Sequence, residues 1–258
     1  MTLGRVGISS IKTGALSDDA LKKLALGGAK SVALAPETGT DRLRGVCNKD
    51  LFNDEIVLEA RRVIACGFEN LKLYFLVGLP SEVPEDLLAI PELTIRIRNT
   101  IMDTWKERKR AGTVTLSVNP FVPKGNTPFQ WAPFVKKNYY DNAIKTIRNG
   151  LKKQGNVQMH FESYRFARLQ AILSLGDRDC ADLLLNIARG QKENQAIKAW
   201  NKDLSFIHQD RSFEQVLPWD FIDSGIRRKF LEDEYHKAIQ GRITPDCKPR
   251  CKLCGICR

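Results

Sequence analysis

The sequence predicts an α/β fold: parallel strands, in a barrel or an open sheet, followed by a mostly helical C-terminal region and a four-cysteine tail. Three observations predict it. Apolar β-branched runs alternate with amphipathic stretches through the first 160 or so residues. The glycine- and proline-bearing loops fall just after the apolar runs. The alternation then stops and helical spacing takes over. At 258 residues with 43% hydrophobic content, the chain can bury a large core. We expect three parts: 1–162 as the strand–helix unit, 163–240 as the helical region and 241–258 as the tail.

The elements follow in order. "RVGIS" (5–9) reads as a short strand. Ser17 can cap the next helix, Asp18 and Asp19 suit its positive first turn, and Gly27-Gly28 end it. "SVALA" (31–35) is a strand by length and β-branching. Asn53 is expected to cap a helix whose apolar stripe is Ile56, Val57, Ala60, Val63 and Ile64. "LKLYFLVG" (71–78) is nearly all apolar, as a parallel strand covered on both faces should be. A long helix carries Ile90, Leu93, Ile97, Ile101 and Trp105, with Pro91 expected to kink it or mark its start. "TVTLSVNPF" (113–121) is the next strand, Tyr140, Ile144, Ile147 and Leu151 stripe another helix, and "VQMHF" (157–161) is the last strand. Residues 164–200 read as helical. No repeat, P-loop or dinucleotide fingerprint is present.

Three loops would form the rim of a site, because ligands of parallel α/β folds bind at the carboxyl ends of strands. They lie in "LAPETGTDRLRGVCNKD" (34–50), "LKLYFLVGLPSE" (71–82) and "SVNPFVPKGNTPFQW" (117–131). These segments resemble successive strand-end motifs of radical S-adenosylmethionine (SAM) enzymes. The nearest likeness is to a prokaryotic subgroup that carries an N-terminal cobalamin-binding-type domain. The likeness continues through "ESYRFARLQAIL" (162–173), "VLPWDFIDSGI" (216–226) and "FLEDEYHKAIQGRITPDC" (230–247).

The resemblance implies an incomplete (β/α) barrel with its first strands missing. In the complete enzyme, a 4Fe–4S cluster would cleave SAM to a 5′-deoxyadenosyl radical and so modify an unknown substrate. It places Glu37, Thr38 and Gly39 near the ribose or amino-acid part of SAM. Gly78 and Pro80 would line the adenine, and Asn119 and Pro120 would close the pocket. Ser9 and Lys12 match a Ser…Arg-type position, with Lys in place of Arg; a lysine is a point charge and cannot make the bidentate contact. The cluster loop Cys-x3-Cys-x2-Cys does not precede these strands, so a fragment or a split gene product is expected, completed by an N-terminal segment or chain. Cobalamin is a further cofactor that the subgroup implies. No catalytic residue is assigned.

Cys247, Cys251, Cys254 and Cys257 are expected to bind metal. Three of them have radical-cluster spacing, but a fourth thiolate would close the site against SAM. Closed four-cysteine sites are zinc sites or electron-transfer Fe–S clusters, and an auxiliary cluster or zinc are both open readings. Cys47, Cys66 and Cys180 read as ordinary small residues, and His160, His208 and His236 as single histidines without a ligand partner. Glu162 reads as a helix-start carboxylate, and Trp219 and Phe221 as packing residues of the C-terminal region. The seven cysteines suit a reducing, cytoplasmic setting, and no span or signal peptide is visible. The net charge of +11 admits RNA as a partner and supports a rival reading, a non-catalytic nucleic-acid module with a zinc tail; a scaffold fragment that needs a partner chain is the other alternative.

Overall fold

The computed structural model describes residues 10–109 and 111–256. The expected strand 5–9, Ser9 and Cys257 lie outside the described residues. The fold is mixed α/β. Four strands, β1 (Ser31–Glu37), β2 (Asn70–Val77), β3 (Val114–Pro120) and β4 (Val157–Phe161), form one parallel sheet in the order β1-β2-β3-β4. Each strand therefore pairs with its neighbour in sequence.

Helix α1 (Asp18–Leu26) precedes β1, with Ser17 Oγ accepting the Ala20 N–H as its cap. Between β1 and β2 lie α2 (Asp41–Val46) and α3 (Asn53–Ala65). α4 (Pro84–Glu107) joins β2 to β3, and α5 (Lys137–Leu151) joins β3 to β4. α3 packs on β1 and β2, α5 packs on β4, and α4 lies between α3 and α5. The apolar stripes read from the sequence fill this layer. Ile56, Val63, Ile97, Ile101 and Ile147 share one buried cluster with Val32 of β1, Leu71 and Leu73 of β2, and Val114, Leu116 and Val118 of β3.

Three expectations about these elements need correction. The helix α3 is not capped by Asn53: Phe52 holds the cap position, its N–H donating to Glu55 Oε2 at 2.8 Å, and Asn53 is the first helical residue. Pro91 does not start α4, which begins at Pro84 and runs through it; a Cβ on Gly150 of α5 would meet the Pro91 ring at 2.6 Å. The strands β2 and β3 are not covered on both faces. Leu71, Leu73, Phe75 and Val77 of β2 are buried, whereas Lys72, Tyr74 and Leu76 point to the other side and retain solvent contact. β3 repeats the pattern, with Thr115, Ser117 and Asn119 half-buried between buried neighbours. The apolar run hid a period-two alternation whose outer positions carry Lys and Tyr.

After β4 come α6 (Tyr164–Leu175), α7 (Cys180–Ala188), α8 (Glu193–Trp200) and α9 (Arg228–Ile239). They build a second core, which also takes Trp131 and Phe134 from the loop after β3. The Trp219 indole N–H donates to Gln130 Oε1 at 2.6 Å, and its ring lies on Gly125. Phe221, expected to pack, is instead 84% exposed. No helix among the described residues is long and apolar enough to cross a membrane.

The one-residue alternation in β2 gives a direct test. Leu73→Ala should cost about 2–5 kcal/mol in denaturant unfolding, and the adjacent Lys72→Ala less than about 0.5 kcal/mol. Equal losses would contradict the one-sided sheet.

Candidate functional site at the carboxyl edge of the sheet

The segment after β1 turns sharply. Glu37 ends the strand with φ +65°, just past an irregularity in the β1–β2 register. Such a conformation is uncommon for a non-glycine residue. The loop that follows is held by Arg44, whose side chain is 0% exposed. All five guanidinium N–H groups have acceptors. Nε donates to the Pro36 carbonyl at 2.9 Å, and Nη1 to Asp41 Oδ1 at 2.6 Å and the Leu51 carbonyl at 2.9 Å. Nη2 donates to the Thr38 carbonyl at 3.0 Å and Asn53 Oδ1 at 2.7 Å. Burial lowers the Arg44 pKa, and the Asp41 carboxylate works against that shift. Only arginine has the fork to meet five acceptors spread over the plane.

A second buried charge ties this loop to α4. Asp86, 2% exposed, accepts from the Thr40 hydroxyl, from the Arg42 guanidinium and from the Val83 N–H at 2.9 Å. Thr40 Oγ1 also accepts the Leu43 N–H at 3.2 Å and so caps α2. Gly39 lies directly on the backbone of α4; an added Cβ would come within 2.5 Å of the Ala89 carbonyl carbon and the Ile90 nitrogen. Thr38 is buried, its hydroxyl donating to the Thr40 carbonyl. Glu37 pairs with Lys49 at 3.0 Å, and Lys49 also donates to the Ala35 carbonyl. Cys47 packs against the small cluster of Leu43, Val46, Leu79 and Ala238, and burial, with the Glu37 charge adding to it, pushes its thiol up to about 12. It is a protonated thiol.

The loop after β2 has its own anchor. Gly78 takes φ +86°, and its missing side chain makes room for Val135. Glu82 Oε1 accepts the Gly78 N–H at 2.8 Å and the Tyr139 hydroxyl at 2.6 Å. Burial pushes the Glu82 carboxyl up to about 7, against the opposing pull of those two donors, and the Asp86 charge adds to the rise. Pro80 is half-buried in the same turn. Asn119 and Pro120 end β3 in register with Leu76 and Val77. Glu37, Gly78, Pro80, Asn119 and Pro120 therefore lie at one end of three adjacent strands. Lys12 is exposed in the segment before α1; next to it, the Ile11 N–H donates to the Ala33 carbonyl. Sequence reading missed Arg44, Asp86 and Glu82; the two close-approach glycines, Gly39 and Gly45, were the only local signal.

The tail leaves α9 through Gly241, whose carbonyl would meet a Cβ on Gly45 at 2.7 Å. Thr244 then bridges back, its N–H donating to Asn48 Oδ1 at 2.7 Å and its hydroxyl to Glu234 Oε1 at 2.9 Å. The Cys251 N–H closes a turn on the Lys248 carbonyl at 3.0 Å, and the Cys254 carbonyl accepts the Arg227 N–H at 2.8 Å. Cys247 is exposed, and Cys251 and Cys254 are half-buried. Thiols on tight turns suit a thiophilic metal by chemistry. Among the described residues no three His, Cys, Asp or Glu side chains stand together as a ligand set.

The lone histidines and Glu162 have local settings. His208 Nδ1 lies 2.8 Å from the Phe134 carbonyl, and His236 lies against Phe213 and Tyr235. His160 is exposed on β4. Glu162 Oε1 accepts the Ser163 N–H at 3.0 Å, one residue before α6.

No family model and no solved structure matches the chain. A stretch of 176 residues is 33% identical to an uncharacterized protein of Methanocaldococcus jannaschii. The match covers 68% of this chain and 36% of that protein, so the chain spans about a third of its relative's length.

The buried arginine and the raised carboxyl can each be tested. Arg44→Lys leaves most of the five acceptors unmet in a buried place and should cost about 3–5 kcal/mol, read by chemical unfolding. Glu82 binds its proton more tightly folded, at about 7, than unfolded, near 4.5, so its contribution is full below pH 4.5 and is lost as pH rises through 7. Glu82→Gln should therefore leave stability at about pH 4 nearly unchanged. At about pH 8 it should raise stability by at most about 3 kcal/mol, flattening the melting-temperature profile across that range. An unchanged profile in the variant would remove Glu82 as the titrating group.

Proposed function

We propose that this chain forms the C-terminal part of a radical SAM enzyme, contributing the carboxyl-edge loops that would hold SAM. The observation that carries the reading is the joint placement of the three resembling loops. "PETGT", "GLPSE" and the Asn119–Pro120 pair lie at the carboxyl ends of three adjacent parallel strands whose order never reverses and whose connecting helices α3, α4 and α5 pack together. An open doubly wound sheet reverses its strand order and places helices on both faces. A (β/α) barrel keeps the order and turns the bare face inward. On this reading the sheet is one wall of an incomplete barrel. The Cys-x3-Cys-x2-Cys loop of the radical cluster would come from a segment outside these 258 residues or from a second chain.

In that arrangement Glu37, poised by its left-handed backbone and balanced by Lys49, would meet the polar groups of SAM. The backbone at Gly78 and the Asn119 amide would meet the adenine. A bound cluster would supply the electron that cleaves SAM, and this chain's residues would orient the nucleoside. The tail would add a closed thiolate site, with Lys248, Arg250 and Lys252 offsetting its negative charge. Cobalamin would belong to the complete enzyme.

A second reading has its own support. Arg242, Lys248, Arg250 and Lys252 are exposed and make no ion pair among the described residues, which favours a zinc-loaded nucleic-acid module. Steep salt dependence of RNA binding by a protein without SAM affinity would favour it.

The test is anaerobic purification together with the segment or chain that carries Cys-x3-Cys-x2-Cys. After reduction with SAM, 5′-deoxyadenosine should form, and Glu37→Ala should lower it by at least about tenfold. An iron-loaded complex that binds SAM and releases no 5′-deoxyadenosine would end the proposal. For the tail, iron, sulfide and zinc analysis should find acid-labile sulfide that is lost in Cys251→Ser; a colourless, zinc-bearing protein would replace the auxiliary cluster by zinc.

A further inference from the structure

The bare face of the sheet carries a pattern that the strand-end loops do not explain. In register across β2, β3 and β4 run two rows, Lys72–Thr115–Gln158 and Tyr74–Ser117–His160. Residues in register on parallel strands project to the same side, so the six side chains form one surface. With strands about 4.8 Å apart and alternate residues about 7 Å apart along them, the surface measures about 10 Å by 7 Å. Among the described residues, none of the six side chains makes a hydrogen bond, ion pair or ring contact. Asn119 continues the pattern toward the carboxyl edge and is likewise unbonded among those residues. Both faces of a parallel sheet are ordinarily covered, so a bare polar one leaves hydrogen-bonding groups open to a ligand.

The chemistry of the rows narrows the occupant. Lys72 is their only charged group of fixed sign, and neither row contains a carboxylate. That disfavours a cationic ligand or a hard metal ion. Two hydroxyls, an amide, a phenol and an imidazole match a molecule rich in hydroxyls, and Lys72 matches an anionic group at one end of it. Tyr74 and His160 flank Ser117 and offer flat surfaces for a ring.

We propose that this face binds a hydroxyl-rich, anionic small molecule of about sugar-phosphate size, its phosphate or carboxylate on Lys72 and its hydroxyls on Thr115, Ser117 and Gln158. The proposal deepens the preceding reading, on which it rests for the role of the ligand as substrate; binding itself does not need SAM chemistry.

Ribose 5-phosphate, ribose and glucuronate serve as probes in amide NMR titrations of the full chain. Ribose 5-phosphate should shift resonances of β2, β3 and β4, with ribose at least about tenfold weaker. Lys72→Ala should weaken the phosphate about tenfold and leave ribose unchanged. Ser117→Ala should weaken both sugars. A glucuronate response equal to that of ribose 5-phosphate also supports the proposal and identifies charge, not phosphate, as the feature read. The proposal is overturned if neither anionic sugar shifts these strands. It is equally overturned if the shifts map instead to Lys22, Lys30 and Arg108, which line a separate cleft beside α1, if Lys72→Ala changes nothing, or if S-adenosylhomocysteine displaces the sugar as a direct competitor. Sugar-phosphate binding in a complex that forms no 5′-deoxyadenosine would end the radical reading and leave this one standing.

Discussion

One buried guanidinium holds the candidate site together. Arg44 joins the end of β1, the loop at Thr38, the first turn of α2, the carbonyl of Leu51 and the start of α3 through five hydrogen bonds. A buried charge with any of these bonds missing is costly, so the five segments must be correct together or not at all. The left-handed Glu37 is kept in place by this arrangement, since its neighbours Pro36 and Thr38 are both acceptors of the same side chain. Asp86 then fixes the loop to α4 from the other side. The rim is a rigid construction whose parts come from separate stretches of chain.

Rigidity of the rim contrasts with the sheet it crowns. One face is packed with apolar side chains from four helices, α1, α3, α4 and α5. The opposite face ends at its carboxyl edge in the small seam formed by Leu43, Val46, Leu79 and Ala238, where α9 meets α2. Below that seam the polar rows keep solvent contact, with Lys72, Gln158 and His160 exposed and Tyr74, Thr115 and Ser117 half-buried. The C-terminal region thus closes the top of the strands through α9, the Trp131 segment and the tail, and leaves the wall beneath bare.

Much of the architecture was legible in the sequence. The four strands within residues 31–161 fall where their apolar runs lie, and the Ser17 cap and the long helix through Ile97 and Trp105 are as spacing implies. The bare face was not legible, because Leu76, an apolar residue at an outer position, masked the alternation that Lys72 and Tyr74 carry. Arg44 was hidden for a different reason. Its surroundings, "TDRLRGVCNKD", read as a solvated turn, and its acceptors are mostly backbone carbonyls, which every residue has. Glu82 was invisible likewise: its partner Tyr139 lies 57 residues away. Spacing reveals what repeats along one element, and both of these side chains act mainly between elements.

The unreversed strand order has a consequence for how the chain assembles. Every pairing in the sheet joins segments about forty residues apart, so each closes a loop of similar, moderate entropy. The sheet can grow by adding strands at one edge as they leave the ribosome, with no later strand inserted between earlier ones. Assembly is then vectorial, and the last strand, β4, is laid down before α9 and the tail arrive to seal the rim.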